Sequence, residues 1–153
     1  MRSWGLLPFI LALATAAPAA EPVPAADMQA AYCVGVFSEQ LDEIQDGDIM
    51  PPRQRELMRS IARGRRDQAQ ADLASKGYLN GHDAPEVYAA LLRGSADQKQ
   101  CLADISAAAF RTCARGCGPA DTTEATLRCV ARCSPASCDR ARRCFPVLTA
   151  VDQ

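Results

Sequence analysis

The sequence has one histidine, His82, and only two lysines among its seventeen basic residues. It has no CxxC, no CxxCH, no G-x-S-x-G and no Met-x-x-Met cluster. Without CxxC the usual thiol–disulfide exchange site is missing. Without CxxCH there is no covalent haem attachment, and without G-x-S-x-G no nucleophile elbow. No pair of carboxylates is singled out for acid–base hydrolysis. No segment alternates apolar and polar residues with the period of two that marks a strand. Past the first fourteen residues no apolar run approaches the ~20 residues that a membrane-spanning helix needs. The formal net charge is −1, which predicts no general affinity for nucleic acid or for an anionic membrane.

What is present begins with a leader. Arg2 supplies a positive start, Trp4 to Ala14 is apolar, and the small residues Ala14-Thr15-Ala16 and Ala17-Pro18-Ala19 follow. This order predicts a secretory signal over residues 1–20, cleaved between Ala16 and Ala20. There is no Arg-Arg pair before the apolar run and no cysteine at a lipoprotein position after it, so neither twin-arginine export nor lipid anchoring is expected. Removing 20 of 153 residues leaves 133, a length for one domain. The expected organisation is a loose linker at 21–26 and a single helical domain at 27–153. The expected location is the periplasm or the exterior, with no membrane insertion after cleavage.

The helical pattern is read from apolar spacing. Ala30, Val34, Phe37, Leu41 and Ile44 recur every three or four residues, predicting a first helix over 27–45. Asp46-Gly47-Asp48 ends it and Pro51-Pro52 opens a second, over 52–75, with Leu57, Met58, Ile61, Ala62, Ala69 and Leu73 on its apolar face. Gly77 and Asn80-Gly81 are turn residues. Asp83-Ala84-Pro85-Glu86 has capping-box spacing and predicts a third helix, interrupted at Gly94. Ser95-Ala96-Asp97-Gln98 predicts a new start, with a fourth helix running to Cys117. Gly118-Pro119 ends that helix. Asp121-Thr122-Thr123-Glu124 caps a fifth, to Cys133, and a short last helix covers Cys138 to Cys144. The expected fold class is all-α: a bundle of about five helices stapled by disulfides.

Charge is unevenly placed. Residues 21–48 carry seven acids and no Lys or Arg, while residues 53–66 carry Arg53, Arg55, Arg59, Arg63, Arg65 and Arg66 against Glu56. Antiparallel packing of the first two helices sets these stretches side by side. The alternative is a basic face on the second helix for an acidic partner.

All eight cysteines follow the leader: Cys33, Cys101, Cys113, Cys117, Cys129, Cys133, Cys138 and Cys144. An even count in an exported chain predicts disulfides. The pattern Cys113-x3-Cys117, eleven residues, Cys129-x3-Cys133 resembles the twin CX3C hairpin of the small mitochondrial intermembrane-space chaperones, over about 21 residues. That resemblance implies a helical hairpin with the nested pairs Cys113–Cys133 and Cys117–Cys129. The chaperone function is not carried over, because the long preceding helices and the other four cysteines have no counterpart. The remaining cysteines would then pair as Cys33–Cys101 and Cys138–Cys144. A rival scheme, Cys133–Cys138 with Cys129–Cys144, is centred on the turn at Pro135–Ser137 and stays open.

Two further readings compete with a bridged, non-catalytic binding or structural protein, for which no cofactor is expected and whose expected partner is another periplasmic or extracellular protein. Thiolates at helical i, i+4 spacing can hold copper or zinc. His82-Asp83 is the one His–acid neighbour pair, the minimum for a small secreted hydrolase; Asp83 is also placed to cap a helix.

Overall fold

The computed structural model describes residues 22–46, 52–79, 84–117, 128–129 and 131–145. Regular structure among them is entirely helical: α1 Ala25–Asp46, α2 Pro52–Ser75, α3 Pro85–Asp104, α4 Ala107–Arg115, a 3-10 turn Ala136–Cys138 and α5 Asp139–Arg142. Residues 128–129 and 131–132 are helical too. The leader, His82-Asp83 and the Asp121–Glu124 cap lie outside the described residues.

Helix α1 is the centre of the fold, and its composition explains why. Ala30 to Phe37 is an unbroken run of small, apolar and aromatic residues. Four consecutive positions, Val34, Gly35, Val36 and Phe37, are buried, as are Ala31, Gln40 and Leu41. A helix with one buried face shows only three- and four-residue spacing. Consecutive burial requires neighbours on more than one side, and α2 and α3 supply them. On one side Phe37 and Leu41 meet Ala62, Met58 and Ile61. Further along, Ala31 and Val34 meet Leu73, Val87 and Ala90.

The direction of each helix follows from these contacts. Lys76, just past the end of α2, reaches Asp27 in the first turn of α1 at 2.6 Å, so α1 and α2 are antiparallel. Tyr32, Glu39 and Gln40 meet Gly94, Ser95 and Gln98 in ascending order, so α1 and α3 are parallel. The described helices therefore run up, down and up, with α1 between the other two.

Helix α2 has the expected bounds and ends in a Schellman motif. Tyr78 N–H donates to the Leu73 carbonyl, Gly77 N–H donates to the Ala74 carbonyl, and Gly77 takes φ +79°. Glycine adopts that left-handed conformation without a Cβ penalty. The motif also packs Tyr78 against the cluster that holds Leu73.

Three expected boundaries move. First, α1 begins at Ala25, inside the stretch read as a linker, and Val23 packs against the core. Second, Gly94 does not interrupt a helix, since α3 runs through it to Asp104. Its lack of a side chain serves contact instead. A Cβ on Gly94 would lie 2.9 Å from the Tyr32 carbonyl carbon and closer still to its oxygen. A Cβ on Gly35 would lie 2.7 Å from the Ser95 nitrogen and closer still to the Leu91 oxygen. The two glycines let the α1 and α3 backbones touch. Third, the break comes at Ile105-Ser106, both extended, and Ser106 caps α4 by accepting from Ala109 N–H at 3.4 Å.

The chain then returns. Pro135 leads into the 3-10 turn and α5, which pack on α3, and Phe145 meets Phe37 edge-on with ring centroids 5.0 Å apart.

Candidate functional site

The feature that most distinguishes this chain is its sulfur framework, and every cysteine is bridged. Cys113–Cys133 and Cys117–Cys129 join α4 to the returning segment, with Cα atoms 5.7 and 5.6 Å apart. Cys33 on α1 pairs with Cys144 and Cys101 on α3 pairs with Cys138, with Cα separations of 5.3 and 4.6 Å. These two bridges replace the expected Cys33–Cys101 and Cys138–Cys144, and they exclude the rival Cys133–Cys138 and Cys129–Cys144. The physical reason is α5. Helical across Asp139–Arg142, it sets Cys138 and Cys144 about 9 Å apart along its axis, beyond disulfide reach. Each therefore meets a different long helix.

The bridges fall into two classes. Cys101, Cys138 and Cys144 are buried, and their bonds close the main body. Cys113 is exposed and Cys117, Cys129 and Cys133 are half-buried, so the hairpin bridges lie near the surface. Helix α2 carries no cysteine. Its hold on the body is the packing of Ala62 and Leu73 with their half-buried neighbours, together with Lys76. That ammonium binds Asp27, whose side chain is 8% exposed, and Asp72. These two hydrogen-bonded carboxylates raise the Lys76 pKa above its ordinary value.

The seam between α1 and α3 is polar where the two glycines bring the helices together. Gln98 donates to Gln40 at 2.6 Å in a buried pair, Ser95 donates to Glu39 at 2.5 Å, and the Tyr32 hydroxyl donates to Asp97 at 2.8 Å. Lys99 and Arg140 complete the seam, on Glu39 and Asp97 respectively. Burial first, then the hydrogen bond to Asp97, pushes the Tyr32 phenol up to about 12. Ser95 and Gln98, expected to open a new helix, instead face inward in the middle of α3. The signal was present: Val87, Ala90, Gly94, Gln98 and Cys101 are spaced by three and four, once a glycine and a glutamine are allowed on a buried face.

The six arginines of α2 divide. Arg53, Arg63 and Arg65 are exposed, while Arg55, Arg59 and Arg66 are half-buried along one flank. Arg59 pairs with Glu56 and Arg66 with Asp67. The helix lies against α1, but Glu39 of α1 turns to Ser95 and Lys99 on α3. A second basic group was not singled out from the sequence: Arg111 and Arg115 on α4, with Arg128 and Arg132 on the returning segment. Counting charge over the C-terminal third would have found it.

Among the described residues no group of three or more His, Cys, Asp or Glu could hold a metal ion, and no helix is long and apolar enough to cross a membrane. No protein-family model, curated protein or solved structure matches the chain.

Proposed function

We propose that this chain is a non-catalytic binding protein of an oxidising extracytoplasmic space, the periplasm or the exterior, and that it works through its surface on another protein there. The observation that carries the reading is the pairing of all eight cysteines into four bridges that span the fold. Bridges of this kind persist where thiols are not kept reduced. The leader over residues 1–20 supports the reading from a separate part of the sequence. A bridged sulfur is not a thiolate, so the four bonds leave no cysteine to ligate copper or zinc.

The test is to express the full chain with its leader and fractionate the cells. The expected product is periplasmic, begins between Ala17 and Glu21, and has no titratable thiol when denatured without reductant. An unprocessed cytoplasmic chain would contradict the location. Four or more free thiols would return the thiolate-metal reading. Turnover in a broad screen of ester, phosphoester and glycoside substrates that is lost on His82→Ala would establish a hydrolase instead.

A further inference from the structure

The outward faces of α2 and α3 differ in kind. On α2 the side away from α1 carries Arg53, Glu56, Arg63 and Asp67, all exposed, which is the charged face expected of a helix that borders solvent. On α3 the buried residues Val87, Ala90, Gly94, Gln98 and Cys101 mark the side that meets the body. At about 100° per residue, the opposite side is Pro85, Ala89, Leu92 and Ala96. All four are exposed and none is polar. Tyr88 stands one turn before Leu92, at the edge of this face. Among the described residues the exposed large hydrophobics are Leu79, Tyr88 and Leu92, and the two on α3 are 53% and 49% exposed. Covering them would remove from water apolar area that the fold itself leaves open.

The charges of α3 point to the same half of the helix. Asp97 meets Tyr32 and Arg140, Lys99 meets Glu39, and Asp104 accepts from Gln100. Among the described residues, Glu86 and Arg93 have no side-chain partner. Both are exposed, and both lie on the flank of the apolar face away from Tyr88. A spacing of seven residues sets them about 10 Å apart along the axis, too far to pair with each other.

These positions are symmetric. Tyr88 and Leu92 are centred on residue 90, and Glu86 and Arg93 on the midpoint of 89 and 90. Lay a second copy of α3 antiparallel across the first, with the two-fold axis beside Ala89, and like flanks come together. Tyr88 of each copy then meets Leu92 of the other, and Glu86 of each meets Arg93 of the other. A parallel pair would set the charged flank against the Tyr88 flank and leave both charges unmatched. Ala89 is small enough to let the two helix axes come within about 8–10 Å. A self-complementary contact of this kind closes as a dimer. A helix that lies on a membrane is edged by cations. This face is edged by one acid and one base, which suits a second copy better.

We infer that the outward face of α3, residues 85–96, is a self-association surface on which two copies of this chain pair antiparallel, Tyr88 against Leu92 and Glu86 against Arg93. A single helix face offers less than the roughly 800 Å² per partner of a standard interface, so the dimer is weak, with a Kd of about 0.1 mM. The inference goes beyond the binding-protein reading and does not depend on it.

Sedimentation equilibrium of the oxidised protein from about 0.01 to about 1 mM tests it. The parent is expected to shift reversibly from monomer to dimer across that range. Tyr88→Ser/Leu92→Ser should weaken the dimer about tenfold or more, with unchanged helicity and no free thiols. Glu86→Arg alone, or Arg93→Glu alone, sets like charges opposite one another and should weaken it severalfold. The double reversal Glu86→Arg/Arg93→Glu should return it to within about twofold of the parent. An equimolar mixture of the two single variants should recover it as well, because both pairs then form between unlike chains. Arg53→Gln/Arg63→Gln on α2 should leave it unchanged. A chain still monomeric at about 1 mM overturns the inference, including the case in which phosphatidylglycerol vesicles or a different protein take the face instead. So does a dimer that survives Tyr88→Ser/Leu92→Ser, or a pair of charge reversals that neither the double variant nor the mixture repairs. Each of these results leaves the four bridges, and the fractionation test of the binding-protein reading, untouched.

Discussion

Replacing Gly35 by alanine adds one methyl group where α1 and α3 come closest. The new Cβ would lie 2.7 Å from the Ser95 nitrogen and nearer still to the Leu91 oxygen, inside the 3.0 Å that real Cβ atoms respect. Both obstacles are backbone, so no rotamer change relieves them and the helices must separate. Overpacking of this kind costs about 1–3 kcal/mol, and the rigid obstacles place it near the upper end. Against it stands the better helix propensity of alanine, about 1 kcal/mol. The net expectation is a loss of about 1–2 kcal/mol for Gly35→Ala and the same for Gly94→Ala. Separation also stretches the Gln40–Gln98 and Glu39–Ser95 hydrogen bonds, which adds to the loss. Because one separation relieves both clashes, the double variant should cost less than the sum of the singles, by roughly 1 kcal/mol. Gly64 in α2 is the control: a Cβ there meets nothing within 4 Å, so Gly64→Ala should stabilise by about 0.5–1 kcal/mol. Urea denaturation without reductant reads all four variants, and thermal midpoints should move by about 3–5 °C per kcal/mol. Additive or neutral changes at Gly35 and Gly94, or a loss at Gly64, would refute the reasoning.

Three other outcomes are expected. Leu73 is the one large side chain of α2 that is fully buried among the described residues, so Leu73→Ala should cost about 3 kcal/mol. Amide exchange in that variant should show α2 opening first; α2 amides as protected as those of α1 would contradict its non-covalent hold. The Cys33–Cys144 bridge closes a separation of 111 residues and Cys117–Cys129 one of 12, so their serine double variants should lose about 5 and about 3 kcal/mol respectively; denaturation midpoints in the reverse order would count against it. Tyr32 should titrate near pH 12, against the ordinary 10.0, as a late tyrosinate absorbance component that Tyr32→Phe removes. The raised value means that the folded state favours the neutral phenol. Its stabilising contribution is complete below about pH 10 and is lost as pH climbs through about 12. If the component that Tyr32→Phe removes lies near the ordinary 10.0 instead, the burial and Asp97 hydrogen bond assigned to this phenol are wrong.

The sequence was most legible where structure is local. Proline and glycine punctuation bounded α2, and spacing by three and four found the Phe37 face of α1, because both are properties of one helix. It missed the second buried face of α1, since Gly35 and Gln40 do not look apolar and become interior only through Gly94 and Gln98 on α3. Gly94 read as a break because glycine weakens an isolated helix. Its use here, close approach to the Tyr32 backbone, depends on a partner that the local sequence does not name. The hairpin bridges suited the i, i+4 pattern. The other two did not, because Cys33–Cys144 and Cys101–Cys138 depend on where the last turn docks. The basic stretch of α2 and its antiparallel packing against α1 were both legible from the order of the helices.

Those two distant bridges fix the last turn to α1 and α3, and mapping them in the oxidised protein tests that docking most directly. Trypsin cuts after Arg140, Arg142 and Arg143 and so separates Cys138 from Cys144. Mass spectrometry of the unreduced digest should find the Cys144 peptide bonded to the peptide of Cys33, and the Cys101 peptide bonded to that of Cys138. A Cys33–Cys101 link, a Cys138–Cys144 link, or any of the eight cysteines as a free thiol would contradict it.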